Sequence, residues 1–282
     1  MNNTLTPNSL NILITGCSSG IGYCAAKILH QRGYNVIATV RKKEDALPLN
    51  ELGITTVLLD LDHSESIIQC LHFVLEHFNN RIDALFNNAA YGQPGAVEDL
   101  SREVLRQQFE TNLFGTHELT NLIIAQMRKQ GHGRIIYNSS VLGLVSMAYR
   151  GAYNASKFAL EGLVDTLRLE LKGANIHISL IEPGPILSKF RENSFAKYQQ
   201  NIDKDNSIHK DTYIAMEQRL TKQGAAVPFT LPADAVVKKL LHALESKRPK
   251  IRYYVTFPTY LFAFLKRILP YRLLDLIISK IQ

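Results

Sequence analysis

Residues 11–29 confine the chain to a narrow set of folds. Asn11-Ile12-Leu13-Ile14-Thr15 is an apolar run of strand length, and Gly16-Cys17-Ser18-Ser19-Gly20-Ile21-Gly22 follows it without a break. The segment Tyr23-Cys24-Ala25-Ala26-Lys27-Ile28-Leu29 comes next, with apolar residues at helical spacing. A strand that passes through a glycine turn straight into a helix is the opening unit of a parallel α/β sheet. Gly16 suits the tight turn, Gly20 lets backbone approach a ligand, and Gly22 lets the helix pack close to the sheet. Free N–H groups and the positive dipole end then face outward, an arrangement suited to a diphosphate, with Ser18, Ser19 and Ile21 in the same turn. A glycine-rich connection that binds nothing is the bland alternative, and the flanking strand and helix weigh against it.

Asn35-Val36-Ile37-Ala38-Thr39-Val40 reads as the next strand. Where a dinucleotide fold that holds NAD places an acid for the ribose hydroxyls, this chain has Thr39, Val40 and then Arg41. A carboxylate there would repel a 2′-phosphate, whereas Arg41 can pair with one, helped by Lys42. NADP(H) is therefore expected ahead of NAD(H). A third strand over residues 55–59 ends at Asp60-Leu61-Asp62, and a fourth over residues 82–86 ends at Asn87-Asn88-Ala89-Ala90. The carboxyl ends of parallel strands line the ligand crevice, so Asp60 and Leu61 are candidates to meet adenine, while Asn88 and small Ala89 leave room for adenosine and ribose. The plainer reading is that Asp60 and Asn88 only close turns.

Tyr153 and Lys157 stand four residues apart in a helical stretch, so a phenol and an ammonium share one face. The ammonium favours the phenolate, which predicts a phenol pKa moved down from its usual value of about 10. Ser140 ends a strand-like run, Ile135-Ile136-Tyr137-Asn138-Ser139-Ser140, and supplies a second hydroxyl able to hold the same carbonyl oxygen. Alone, a Tyr-x-x-x-Lys pair is more often a solvated helix face.

Strand-length runs and helical segments alternate from residue 11 to about 182 with no linker or repeat, and 46% hydrophobic content is ample for one core, so residues 1–282 are read as a single domain. Cys17, Cys24 and Cys70 form no disulfide framework, and His63 and His177 are solitary, so no metal site is expected. The start, Met1-Asn2-Asn3-Thr4-Leu5-Thr6-Pro7, has no signal-peptide pattern and no stretch reaches the roughly 18 apolar residues of a spanning helix, which together suggest a cytoplasmic protein. The net charge of +7 is spread along the chain rather than gathered in a stripe, which argues against a nucleic-acid partner.

In order, Thr15-Gly16, Gly20, Gly22, Asn87-Asn88-Ala89, Asn112, Ser140, Tyr153, Lys157 and Pro183-Gly184 resemble the short-chain dehydrogenases/reductases, in the branch with the glycine motif Thr-Gly-x-x-x-Gly-x-Gly. The resemblance covers roughly residues 10 to 190 and is nearest to 17β-hydroxysteroid and retinol dehydrogenases and to bacterial NADP-dependent aldehyde reductases. Ala90 departs from it, where the family usually has glycine. The resemblance implies a doubly wound parallel sheet, the Rossmann fold, and an NADP-dependent exchange of hydride between nicotinamide and a carbonyl or alcohol. It implies that Tyr153 is the proton donor and that Ser140 holds the carbonyl oxygen. Lys157 would lower the tyrosine pKa and bind the nicotinamide ribose beside Tyr153, Asn112 would hold a water linking the lysine to solvent, and Pro183, Gly184 and Ile186 would receive the carboxamide. It also implies a homodimer or homotetramer through helices at about 114–129 and 153–172.

Residues 185–231 turn polar and irregular, which the resemblance makes a substrate lid, with Leu142, Leu144, Val145, Met147 and Tyr149 as candidate walls of an apolar pocket for a lipophilic aldehyde, ketone or alcohol. The tail over residues 253–282 is read as helical, uncharged from Tyr253 to Leu265 and then basic. It suits a helix at a membrane surface, a wall around a greasy entrance, or packing on its own domain or a partner subunit. A rival reading keeps the cofactor fold as a non-catalytic NADP(H) sensor or scaffold, against which the full set Asn112, Ser140, Tyr153 and Lys157 argues.

Overall fold

The computed structural model describes residues 10–280, so the N-terminal stretch Met1 to Pro7 and the end of the tail, Ile281 and Gln282, lie outside the described residues. Seven parallel strands form one sheet in the order β3-β2-β1-β4-β5-β6-β7: β1 (Asn11–Ile14), β2 (Asn35–Val40), β3 (Thr55–Leu58), β4 (Ala84–Asn87), β5 (Gly133–Asn138), β6 (Ile176–Glu182) and β7 (Arg252–Tyr254). Parallel neighbours need crossovers, and helices supply them. Side chains alternate across the sheet with period two. Ile12, Ile14, Ala38, Phe86 and Ile136 pack on one face with α1 (Gly20–Gln31), α2 (Leu47–Asn50) and α9 (Asp234–Glu245). Leu13, Ile37, Leu85, Ile135 and Leu180 pack on the other with α3 (Ser64–His77), α5 (Gly115–Gln130) and α6 (Gly151–Glu170). The result is a doubly wound, Rossmann-like sheet.

The strand order reverses between β1 and β4, whose carboxyl ends therefore part and leave a crevice. Two departures from the sequence reading bear on it. Residues 185–231 are not a loop: Ile186 and Leu231 bridge, and between them stand α7 (Phe190–Asn201) and α8 (Lys210–Thr221). Their polar composition hides the helical period, because few of their apolar residues, chiefly Tyr198, Tyr213, Met216 and Leu220, turn inward onto Ala96 and Ile202. The tail begins with the short edge strand β7, which carries no sequence signal of its own. It then forms α10 (Phe257–Ile268) and α11 (Tyr271–Ser279). Their inner residues Phe262, Leu274 and Ile278 pack against Val141, Leu142, Val145 and Tyr153, so the tail's inner face does pack on its own domain. Among the described residues no helix is long and apolar enough to cross a membrane.

Candidate active site

Between β1 and α1 the glycine turn is held from three sides. Gly16 takes φ +70°, and a Cβ there would come within 2.8 Å of Ala89 Cα. Gly22 faces the Gly16 carbonyl so closely that a Cβ would collide with it. Thr39, at the end of β2, accepts from Gly16 N through Oγ1 at 3.2 Å and from Cys17 N through its carbonyl at 2.8 Å. Ser19 precedes α1 in extended backbone and makes no capping bond, so the first N–H groups of α1 have no side-chain partner there. A cleft of about 850 Å³ opens beside Ser18, Ser19 and Gly20, closed opposite by Leu187, Ser188 and Lys189. These features fit the diphosphate of a dinucleotide: uncapped donors, a positive dipole end and a backbone with no side chain in the way.

Arg41 is exposed just past β2, while Thr39 is buried under the turn. Asp60 closes its own turn by accepting from Asp62 N at 3.1 Å, and the Leu61 carbonyl lies against Gly115. Ala89 donates its N–H to Thr15 Oγ1 at 2.9 Å. The Asn88 amide is committed within the protein: Nδ2 donates to Thr15 O and Gly16 O at 2.9 and 3.1 Å, and Oδ1 accepts from Asn138 Nδ2 at 2.9 Å. The Pro183 carbonyl accepts from Val141 N at 2.8 Å, Gly184 packs against Thr256, and Ile186 is fixed by its bridge to Leu231.

Ser140 stands two residues beyond β5, where its Oγ accepts from Leu142 N at 3.1 Å and caps the turn at Val141–Gly143. Tyr153 lies on the first turn of α6, beside that hydroxyl, and Lys157 lies one turn further on. The Lys157 ammonium is 2% exposed and donates to Asn138 O at 2.8 Å, with Nζ 5.7 Å from the Tyr153 ring centre. Asn112 lies in a wide π-turn, Glu110–Phe114, where α4 (Arg102–Phe109) passes into α5. Its amide accepts from Tyr91 N at 3.1 Å and donates to Tyr91 O at 2.9 Å and to Ser156 Oγ at 3.1 Å.

The electrostatics differ from what the helical spacing predicts. Burial pushes the Tyr153 phenol up to about 12, with the Ser140 hydroxyl pulling it partly back, rather than down toward neutrality. Burial pushes the Lys157 ammonium down to about 8, opposed by the Glu161 carboxylate. Spacing puts the two groups on one face, but desolvation of both outweighs their mutual effect. The arrangement is a protonated phenol at neutral pH with a second hydroxyl beside it, which suits donating a proton to an oxygen.

Several residues of the site carry no sequence signal. Phe190, at the start of α7, sets its ring 5.3 Å from that of Tyr153, edge to face. Tyr91 is gripped by Asn112 through both backbone groups and lies under the Lys197 ammonium, 5.3 Å from its ring. Ser188 stands where a Cβ on Gly20 would meet its own Cβ at 3.0 Å. Thr15 and Thr39 do carry a signal, as hydroxyls at strand ends next to a glycine turn.

The lysine predicts a pH dependence. In the unfolded chain Lys157 keeps its proton up to about 10.5, and in the folded protein only up to about 8, so between these values unfolding takes up a proton and stability rises with pH. Urea unfolding at pH 7 and pH 10 is expected to show a stability gain in the wild type larger than that of Lys157→Met by about 2 kcal/mol. Equal gains in the two proteins would contradict the assignment.

Residues 10–199 match the family model for short chain dehydrogenases. The uncharacterized oxidoreductase YbbO of Escherichia coli K12 is 42% identical over 269 residues, covering 95% of this chain and 94% of its own. Human retinol dehydrogenase 8 is 34% identical over 86% of this chain and 79% of its own, and human 17-beta-hydroxysteroid dehydrogenase type 1 is 30% identical over 87% and 77%. A solved short chain dehydrogenase/reductase from Burkholderia phymatum, in complex with NAD, superposes with a TM-score of 0.78 at 22% identity over 94% of each chain, a likeness of fold. The chain belongs to the short-chain dehydrogenase/reductase family of oxidoreductases.

Proposed function

We propose that the protein is an NADP(H)-dependent carbonyl reductase, running also as an alcohol dehydrogenase, whose substrates are lipophilic aldehydes, ketones and the matching alcohols. The observation that carries this reading is the Tyr153 hydroxyl beside Ser140, above a buried Lys157 and against an apolar wall of Val141, Leu142, Val145 and Phe262. That wall has few polar groups to recognise a hydrophilic substrate. The named substrates of two relatives, retinol and a 17-beta-hydroxysteroid, are of the same apolar kind.

Gly16, Ser18, Ser19, Gly20, Ile21 and Gly22 would hold the diphosphate, Arg41 the 2′-phosphate, and Asp60, Leu61, Asn88 and Ala89 the adenosine. Tyr153 and Lys157 would hold the nicotinamide ribose, and Pro183, Gly184 and Ile186 the carboxamide. When bound, the cofactor supplies or accepts the hydride. The rest falls to this chain. Ser140 and Tyr153 hold the substrate oxygen between two hydroxyls, and Tyr153 gives that oxygen its proton in reduction and takes it back in oxidation. The Lys157 charge steadies the phenolate left behind, and Asn112, fixed by both backbone groups of Tyr91, would hold the water that links the lysine to solvent. α7 and α8 act as the lid, with Phe190 excluding water from Tyr153. A homodimer or homotetramer forms through α5 and α6, with exposed Phe114 just before α5 and exposed Leu169 near the end of α6.

The outer face of α10 presents Phe257, Tyr260, Phe264 and Ile268 to solvent, spaced as one stripe, with Arg267 and Arg272 at its end. Aromatic rings beside cations fit an anionic membrane surface, from which a lipophilic substrate would reach the wall formed by the inner face. The full chain is expected to sediment with phosphatidylserine vesicles, and Phe264→Asp/Ile268→Asp to stay in solution; equal sedimentation of both removes this contact from the account. For the chemistry, Tyr153→Phe should bind NADPH as the wild type does yet lose turnover of a medium-chain aldehyde by about 10²-fold or more. Unchanged turnover would refute Tyr153 as the acid.

A further inference from the structure

Behind the catalytic pair lies a cluster of charge that the reaction does not use directly. Glu161 follows Lys157 by one turn of α6 and is 7% exposed; Glu182, at the end of β6, is fully buried. One guanidinium serves both. Arg252 of β7 donates through Nε to Glu182 Oε1 at 3.0 Å and through Nη2 to Glu161 Oε2 at 2.8 Å. It also forms a two-pronged pair with Asp165, from Nη1 to Oδ1 at 3.1 Å and from Nη2 to Oδ2 at 2.9 Å. Three carboxyl groups therefore converge on one cation. Glu161 Oε1 and Glu182 Oε2 are buried and make no well-formed hydrogen bond, although Ser139 stands beside Glu161 and the two carboxyls stand beside each other.

Three further cations, Lys157, Lys266 and Arg168, stand around the cluster, but none of them bonds Glu182. Lys157 and Asp165 come from α6, Ser139 from the end of β5, and Lys266 from α10, where its ammonium rests 4.7 Å over the Phe158 ring. Arg168 pairs with Asp165 at 3.5 Å. Asp165, the most exposed of the three acids, is held ionised by Arg252. Two buried carboxylates beside a guanidinium already paired with Asp165 cannot both stay charged at neutral pH without a large cost.

We propose that Glu182 carries a proton at neutral pH while Glu161 stays ionised, and that Glu161, fixed by Arg252, is a positioning residue that sets the titration of the Lys157–Tyr153 pair. Burial pushes both carboxyls up, but Glu182 is pushed further by the neighbouring Glu161, whereas Glu161 is pulled back by the Ser139 hydroxyl and the Arg252 guanidinium, consistent with that division. The Glu161 carboxylate is the one neighbouring charge that holds the Lys157 ammonium up against burial. Arg252 also makes the link mechanical, because β7 leads within three residues into α10, whose Phe262 lines the wall against Tyr153.

The sign of the effect follows from charge. Removing the Glu161 anion makes the ammonium easier to deprotonate, and does the same for the phenol by relieving repulsion of its phenolate. The alkaline fall of kcat/KM for carbonyl reduction should then move to lower pH in E161Q, by about 0.5 to 1 unit. E161D, which keeps the charge, should restore most of the wild-type position, and E182Q, an imitation of the protonated acid, should move it less than E161Q. This arm rests on the carbonyl-reductase reading. A second arm does not: infrared spectra at pH 7 should show a protonated carboxyl band in the wild type that E182Q lacks. Superimposable pH profiles for wild type and E161Q would overturn the positioning role, and identical infrared spectra for wild type and E182Q would overturn the proton on Glu182. If the wild type reduces no carbonyl at all, the proposed function fails while the infrared result still decides the protonation.

Discussion

The amide of Asn88 is the fastening on which the rest of the site depends. It reaches back to Thr15 and Gly16 and forward to Asn138, whose own carbonyl takes the Lys157 ammonium. One unbroken line of hydrogen bonds thus runs from the glycine turn after β1, across the end of β4, to the end of β5 and into α6. It spans the point where the strand order reverses, which is where parallel sheets open a crevice. Without it the glycine turn and the Tyr153–Lys157 pair would be positioned by separate elements. With it, a shift of the glycine turn is felt at the lysine.

Burial decides the electrostatics of the other end. A phenol pushed up to about 12 and an ammonium pushed down to about 8 are groups the fold has taken out of water at some cost. Nearby, the chain stores further strain: Tyr149 adopts φ +58°, a region unfavourable for a bulky residue, just before α6 begins. Its carbonyl accepts from Gly95 N at 3.0 Å and its ring packs at 5.4 Å on His209 of the segment leading into α8. The helix that carries Tyr153 is therefore preceded by a residue that the start of α8 helps to hold in place.

Much of this was legible in the residues. Continuous apolar runs of strand length marked the central strands, and β2 was readable to its ends because the run from Asn35 stops at Arg41. The glycine turn and the Tyr153–Lys157 spacing could be placed on a turn and a helix because each obeys a local rule. What remained hidden was set by long-range packing. The three residues of β7 have no period to show, α7 and α8 bury too few side chains to look helical, and Phe190 meets Tyr153 only because residues far apart in sequence fold together. The expected fall in the Tyr153 pKa failed for the same reason, since spacing reports neighbours and not the loss of water around them. Nothing local marks Arg252 as the centre of three acidic partners, because Glu161, Asp165 and Glu182 lie 70 or more residues away in sequence.

The account comes down to one claim, that a proton-donating phenol and an NADP(H) site serve an apolar carbonyl. The direct measurement is absorbance at 340 nm during mixing of the full-length protein with NADPH or NADH and a panel of medium-chain aldehydes, retinal, steroid ketones and small polar ketones. The account predicts turnover of the lipophilic carbonyls, with kcat/KM for NADPH exceeding that for NADH by about tenfold or more, a difference of roughly 1.4 kcal/mol for the contact to Arg41. Tight NADPH binding with no turnover of any carbonyl on the panel would contradict it.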